Sequence, residues 1–211
     1  MSNGKAGVFG GTFNPIHNGH LSLCTQLSDA LGLAKVLLIP TAIPPHKRAT
    51  ELADGGQRLA MCRLAVQGDP RFCVCDLELR RQGNSYTADT LRELEALYPD
   101  TRMFLLMGTD MFLTVQNWYH ANEIFRRAVL VAGARQKGEE RQLREHLSFL
   151  ETLGACGKII PCHVVDISST EIRAARKQGR TLRGMVPPSV ARYIEENKLY
   201  LPKEGKVDGN S

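Results

Sequence analysis

Aromatic residues are scarce in this 211-residue chain: they make up 6%, with a single tryptophan, Trp118. No apolar run approaches the ~18 residues that a membrane-crossing helix needs. The longest candidate, Ala128 to Ala134, has the length of a strand. Met1 to Gly7 is polar and Gly-containing, without the apolar core of a secretory leader, so a cytoplasmic protein with no membrane partner is expected. Six cysteines are present, but their spacings match no zinc ribbon or finger. Cys73-Val-Cys75 alternates like a strand and puts both sulfurs on one face. Cys156, Cys162 and His163 lack the close cysteine pairs of structural zinc sites, so reduced thiols, not a metal centre, are expected. The usual phosphate-loop patterns G-x-x-x-x-G-K-[ST] and G-x-G-x-x-G are absent, and so is a G-x-S-x-G nucleophile elbow. No RNP motif, zinc finger or basic aromatic stripe points to nucleic acid as a partner.

What remains is 43% apolar and 23% charged, with a formal charge of +5, the balance of a globular protein that favours anionic ligands. Arg80, Arg81, Arg126 and Arg127 are read mostly as a solvated surface. Short apolar runs alternate with helical periodicity. Lys5 to Gly10 reads as a strand ending in Gly10-Gly11. Asn18 to Leu31 carries apolar residues at helical spacing, and Val36 to Ile39 is a buried strand before Pro40. The opening is therefore a βαβ unit, which implies a parallel sheet. Further along, Gln57–Val66, Thr87–Leu97, Gly138–Leu153, Thr170–Gln178 and Ser189–Glu196 read as helices. Phe72–Leu79, Met103–Met107, Ala128–Ala132, Lys158–Ile160 and His163–Val165 read as extended. This is an α/β doubly wound parallel sheet with a small C-terminal helical part. Without a repeat or linker, residues 1–201 are expected to form one domain and 202–211 a disordered tail.

Ligands of such a sheet sit beyond the carboxyl ends of its strands. The most unusual loop there is Gly10-Gly11-Thr12-Phe13-Asn14-Pro15-Ile16-His17-Asn18-Gly19-His20. Two glycines let main-chain amides approach a ligand, and the turn feeds a helix whose N-terminus attracts anions. His17 and His20, three apart, share a face, with Gly19 expected to keep room between them for a bulky ligand. The pair reads as a nucleotide phosphate site; a metal site lacks a third ligand at suitable spacing. A second helix start, Ser168-Ser169-Thr170-Glu171, spells a capping box, and Arg173 follows one turn on. His46 and Lys47 follow two prolines in an extended loop. Asp110 ends a buried strand, where it can meet a ribose hydroxyl or an adenine edge.

The H-x-G-H tetrad of Gly10 to His20 resembles the signature of the nucleotidylyltransferase superfamily. Pro44-Pro45-His46-Lys47, Ser85-Tyr86-Thr87-Ala88-Asp89-Thr90-Leu91, Gly108-Thr109-Asp110, Trp118 and Ile167-Ser168-Ser169-Thr170-Glu171-Ile172-Arg173 follow in order. Together they resemble the bacterial nicotinate-mononucleotide adenylyltransferases over about residues 6–201. Asn14 departs from a frequent Asp, and Thr41 from a frequent Asn. The resemblance implies a Rossmann-like fold and the joining of ATP to nicotinate mononucleotide, with release of pyrophosphate and with Mg²⁺ accompanying ATP.

The resemblance also implies roles. His17, His20 and Arg173 are the catalytic groups, with His20 nearest the α-phosphate. Gly10, Gly11, Thr12, Phe13, Gly19, Gly108 and Asp110 line the ATP site, and Ser169 and Thr170 join Arg173 at the β- and γ-phosphates. Trp118 stacks on the nicotinate ring, and Tyr86 and Thr87 receive its carboxylate. Thr41, His46, Lys47 and Arg135 serve the rest of the mononucleotide. Oligomeric state is not readable. Two other readings remain open: another H-x-G-H adenylyl- or cytidylyltransferase with a different acceptor, and a nucleotide-binding module without turnover. A class I tRNA synthetase core is excluded by length and by the lack of a K-M-S-K-S-like segment.

Overall fold

In the computed structural model, residues 4–42, 52–134 and 138–202 are described. His46, Lys47, Arg135 and the tail beyond Pro202 lie outside them. Six parallel strands form one sheet: β1 (Gly4–Gly11), β2 (Lys35–Pro40), β3 (Phe72–Val74), β4 (Thr101–Gly108), β5 (Ala128–Ala134) and β6 (Gly157–Pro161). Their order is β3-β2-β1-β4-β5-β6, so the direction of winding reverses between β1 and β4. That reversal leaves a crevice at the carboxyl ends of these two strands, where Gly10-Gly11 and Gly108-Thr109 emerge.

The strands' period of two sorts their side chains onto two faces. Ala6, Val8, Leu37, Ile39, Met103, Leu105, Leu130 and Ala132 face one helical layer: α4 (Thr87–Leu97), α5 (Thr109–Phe112), α6 (Ala121–Arg127) and α7 (Glu139–Thr152). Phe9, Val36, Leu38, Phe104, Leu106 and Val131 face the other: α1 (Asn18–Leu31), α2 (Gly55–Val66), α8 (Ser169–Lys177) and α9 (Pro188–Glu196). Both faces are covered, which is why these strands read as continuous apolar runs. The C-terminal helices share the second face: Ile172, Val190 and Ile194 are fully buried with Leu27 and Ile16. Gly32 ends α1 in the left-handed region, φ 62°, and its N–H closes on Ser28 and Asp29.

Most expected elements are present, several with shifted ends, and three expectations need correction. Phe72–Leu79 is not one strand. The last ladder bond runs from Cys75 N–H to the Leu38 carbonyl at 2.8 Å, after which α3 (Leu77–Arg80) begins. His163–Val165 is not a strand either. The Gln26 amide takes both main-chain groups of His163, donating to its carbonyl at 2.9 Å and accepting from its N–H at 2.8 Å. A side chain on α1 thus occupies the place of a neighbouring strand. Arg81 and Arg127 are not free surface charges. Arg81 pairs with Glu93 at 2.5 Å, and Arg127 pairs with Glu95 and Glu123.

Behind the start of α4 lies a buried carboxylate. Glu78 of α3 accepts from the Thr90 hydroxyl at 2.7 Å and is also bonded to Ser85, and burial pushes its carboxyl above the ordinary carboxylate range. A raised native value means that the folded state holds the proton more tightly than the unfolded chain. Stability is then lost as pH rises out of the ordinary carboxylate range. Glu78→Gln removes that loss, so the variant should gain on the parent as pH rises above the ordinary carboxylate range. Urea unfolding at a series of pH values measures the difference, and parallel stability curves would contradict it.

Candidate active site

The site is built from the turn that links β1 to α1. Gly10 is exposed, and a Cβ added there would meet nothing within 4 Å, so the main chain faces open space at the crevice. Gly11 has no such room: a Cβ would come within 2.9 Å of the Phe13 ring. Phe13 is 2% exposed and has φ 47°, a conformation that costs a bulky residue about 1–3 kcal/mol. The surroundings hold it there. Its ring meets His20 edge-on at 5.2 Å and Phe9 at 5.8 Å.

His17 is the N-cap of α1 and is 5% exposed. Its Nδ1 accepts the His20 N–H at 3.3 Å, which puts the ring proton on Nε2. The two imidazoles stack with centroids 3.6 Å apart and planes 27° apart. The expected shared face is therefore present, with His17 as the cap and His20 in the first turn. Gly19 has a different reason from the one expected. A Cβ there would lie 2.8 Å from the Val165 carbonyl and 3.1 Å from His17 Nδ1, so the space is taken by the protein itself and not kept for a ligand. The first turn of α1 holds no acidic residue, which leaves the positive helix end undiminished.

From the other side α8 presses onto this turn. Arg173 Nη1 donates to the Asn14 carbonyl at 2.9 Å and Nη2 to the Thr170 hydroxyl at 3.2 Å, and the Ser169 hydroxyl donates to the Pro15 carbonyl at 2.9 Å. The capping box is formed: Ser168 Oγ accepts the Glu171 N–H at 3.1 Å, and Glu171 accepts the Ser168 N–H at 2.7 Å. The Ser168 hydroxyl, which donates to the Glu171 carboxylate at 2.7 Å, and the Ser168 N–H together hold that carboxyl below the ordinary range. Asn14 Oδ1 accepts from Tyr200 Oη at 2.9 Å and from the Ala53 N–H at 3.1 Å. Thus Gly10, Gly11, Thr12, Phe13, His17, His20, Ser169, Thr170 and Arg173 converge. Asn14, Tyr200 and Arg58 brace them, and motif reading had not singled out the last two. Arg58 shares the buried face of α2 with Met61 and Cys62, three and four residues on, a helical spacing that is the signal for its inward position.

A second group lies beyond β2 and β4. Thr41 follows β2 and donates its N–H to the Gly11 carbonyl at 2.9 Å; Ala42 N–H donates to Ser85 Oγ at 3.0 Å. This joins the first loop to Tyr86-Thr87 at the start of α4, an N-terminus with no side-chain cap. Tyr86 stacks on Tyr119 with centroids 4.3 Å apart, and Asn84 Nδ2 donates to the Tyr86 hydroxyl at 3.2 Å. Trp118 is half-buried and packs against the core of that sheet face. Tyr119, 50% exposed, was overlooked in the sequence, though its place beside the only tryptophan was a signal. Asp110 is exposed at the start of α5, after Gly108. Among the described residues, no group of three or more His, Cys, Asp or Glu gathers to hold a metal ion, and no helix is long and apolar enough to cross a membrane.

The family described as cytidylyltransferase-like matches residues 8–175. A curated relative from Geobacillus thermodenitrificans, named "Probable nicotinate-nucleotide adenylyltransferase", is 38% identical over 205 residues, covering 97% of this chain and 90% of the relative. One of the same name from Salinibacter ruber is 38% identical over 198 residues, covering 94% and 98%. Among solved structures, the nicotinic acid mononucleotide adenylyltransferase of Plasmodium falciparum, complexed with NaAD, superposes with a TM-score of 0.77 at 16% identity, covering 93% of this chain and 97% of that one. At that identity the likeness establishes the shared fold. With matches spanning nearly its full length, the chain belongs to the nicotinate-nucleotide adenylyltransferase family of the cytidylyltransferase-like proteins.

Proposed function

We propose that the chain transfers the adenylyl group of ATP to nicotinate mononucleotide, giving nicotinate adenine dinucleotide and pyrophosphate in NAD biosynthesis. The observation that carries this reading is the stacked His17–His20 pair at the start of α1, faced by Arg173 across the Asn14–Pro15 turn. Cationic and N–H donors gather there from two helix ends, beside a main chain left open at Gly10.

The chemistry asks little else of the protein. The mononucleotide phosphate, with a second pKa of about 6, is largely dianionic at pH 7 and serves as its own nucleophile. One of its oxygens attacks the α-phosphorus, and the bond from that phosphorus to the β-bridging oxygen breaks as pyrophosphate leaves. The obstacle is bringing two anions into line and stabilising charge as it shifts. In this reading His20 donates to the α-phosphate. His17 Nε2–H, with the α1 amides and those of Gly11, Thr12 and Phe13, meets the neighbouring oxygens. Arg173, Ser169 and Thr170 receive the β- and γ-phosphates at the α8 N-terminus. Gly19 lets the helix close against Val165, and Gly108 and Asp110 face the adenosine. Mg²⁺ enters as part of the ATP co-substrate. Imidazoles and a guanidinium would not suit it as ligands; of the site residues Asp110 is the carboxylate that would help hold it, and the ion would supply charge neutralisation to the phosphates.

For the acceptor, Trp118 and the Tyr86–Tyr119 pair supply aromatic faces, and the uncapped N-terminus of α4 at Thr87 supplies amides for the ring carboxylate. Thr41 lies between the two sites. His46, Lys47 and Arg135 are assigned to the mononucleotide phosphate from the sequence motif alone. Donors without an acceptor select the acid over the amide, because a carboxamide would set its own N–H against theirs.

Pyrophosphate release from ATP, Mg²⁺ and nicotinate mononucleotide tests the reading directly. Other phosphorylated acceptors are run in parallel, and turnover only with one of those would contradict it. His20→Ala should lower kcat at least about 100-fold, the usual effect of losing one donor to developing charge, while the thermal transition stays cooperative. Near-normal turnover would remove His20 from the mechanism. The ratio of kcat/KM for the acid and amide mononucleotides should exceed about 10²; a ratio near unity would refute the role given to the α4 amides.

A further inference from the structure

Arg58 on α2 is 1% exposed and is among the largest fully buried side chains of the described residues. Among the described residues, every hydrogen bond its guanidinium donates ends on a main-chain carbonyl: Nε on Ala53 at 3.0 Å, Nη1 on Thr12 at 2.8 Å and Thr41 at 2.7 Å, and Nη2 on Ala42 at 3.3 Å. No carboxylate of the described residues is bonded to it. The Asp54 carboxylate, at the start of the same helix, acts on the guanidinium through space. A buried cation without an ion-pair partner is expensive, and carbonyl dipoles offset only part of the cost.

What these bonds achieve follows from peptide geometry. In a trans peptide the carbonyl and the next N–H point in opposite directions. The Thr41 carbonyl points to Arg58, and the N–H of the same peptide unit, that of Ala42, is donated the other way, to Ser85 at 3.0 Å. The Thr12 carbonyl is held likewise, so the Phe13 N–H turns away from the guanidinium, at the residue whose φ is 47°. One side chain thus bonds the loop after β1 and the loop after β2 at once.

We propose that Arg58 is a positioning residue that fixes the spacing between the ATP loop and the acceptor loop by holding the carbonyls of Thr12, Thr41 and Ala42, which turns the Phe13 amide toward ATP and the Ala42 amide onto Ser85 ahead of α4. The inference rests on the adenylyl transfer proposed above. Arg58 touches neither substrate; it acts through the peptides whose carbonyls it holds.

The test compares Arg58→Lys and Arg58→Gln with the parent, in thermal unfolding and in pyrophosphate release with each substrate varied in turn. Lysine reaches fewer carbonyls than a guanidinium fork, and glutamine carries no charge. Both KM values should rise together and kcat/KM should fall about 10- to 100-fold, more for Gln than for Lys, in protein that unfolds cooperatively. A merely structural role predicts something else: less active protein, a lower apparent kcat and unchanged KM values. That pattern, or a rise in the KM of one substrate alone, would overturn the proposal. If neither variant folds, the Arg58 Nε–H resonance of the parent serves instead. It should shift when a non-hydrolysable ATP analogue is added and again with nicotinate mononucleotide, and a resonance indifferent to either ligand would overturn the role. A parent enzyme that releases no pyrophosphate would refute the transferase reading itself, an outcome separate from any change confined to the variants.

Discussion

A turn that binds polyanions through its main chain has few side chains with which to hold its own shape. The segment from Gly10 to His17 meets this constraint by giving its carbonyls to the protein. Those of Thr12, Asn14 and Pro15 are bonded by Arg58, Arg173 and Ser169 respectively. The donors come from α2 and α8, elements distant in sequence from the turn and packed on the same sheet face. Fixing the carbonyls inward fixes the direction of the amides opposite them, and the groups that do the fixing are neutral or cationic. No anion of the protein is thereby placed in the turn to compete with a ligand. The strained Phe13 and the stacked imidazoles depend on that bracing: Phe13 is locked between Phe9 and His20, and His20 is aligned by the Nδ1 of the cap residue His17.

The same economy links the two halves of the crevice. Ser85 receives the Ala42 amide and is bonded to Glu78, which is itself bonded to Thr90 of α4. The loop after β2 therefore lies between a buried guanidinium and a buried carboxylate, with its carbonyls on one and its amide directed toward the other. This arrangement sets the start of α4, with Tyr86 and Thr87, relative to the β1–α1 turn. It gives a positional role to two buried ionisable groups whose charged forms burial disfavours.

Much of this was legible in the sequence because it is local. The strand, double glycine and helix of residues 4–31 read directly, and His17 and His20, three apart, read as sharing a face; their stacking depends on His17 being the extended cap, not a residue of the first turn. The capping box of Ser168 and Glu171 is likewise a matter of four consecutive residues. What was not legible depends on contacts between distant segments. Helical spacing sets Arg58 on one face of α2 with the buried Met61 and Cys62, but its acceptors are carbonyls that any residue could supply, so the pattern does not show what a buried guanidinium would bond. The strand expected at His163–Val165 failed because Gln26, 137 positions away, takes the main-chain groups of His163. Gly19 was read as space for a ligand, whereas the space is filled by the Val165 carbonyl, contributed by a segment that no local pattern connects to it. Leu77 and Leu79 continue the alternation of β3, but the edge strand ends with its last ladder bond at Cys75, and the chain turns so that Glu78 is buried.

The proposed transfer rests on alignment without covalent participation: the site would orient two anions and lend them positive charge, with no side chain carrying the adenylyl group. Stereochemistry at the α-phosphorus tests this most directly. ATP made chiral at that phosphorus with sulfur or oxygen isotopes should give a dinucleotide of inverted configuration, the mark of a single in-line displacement. Retention would require two displacements through an adenylylated side chain, and would contradict the account.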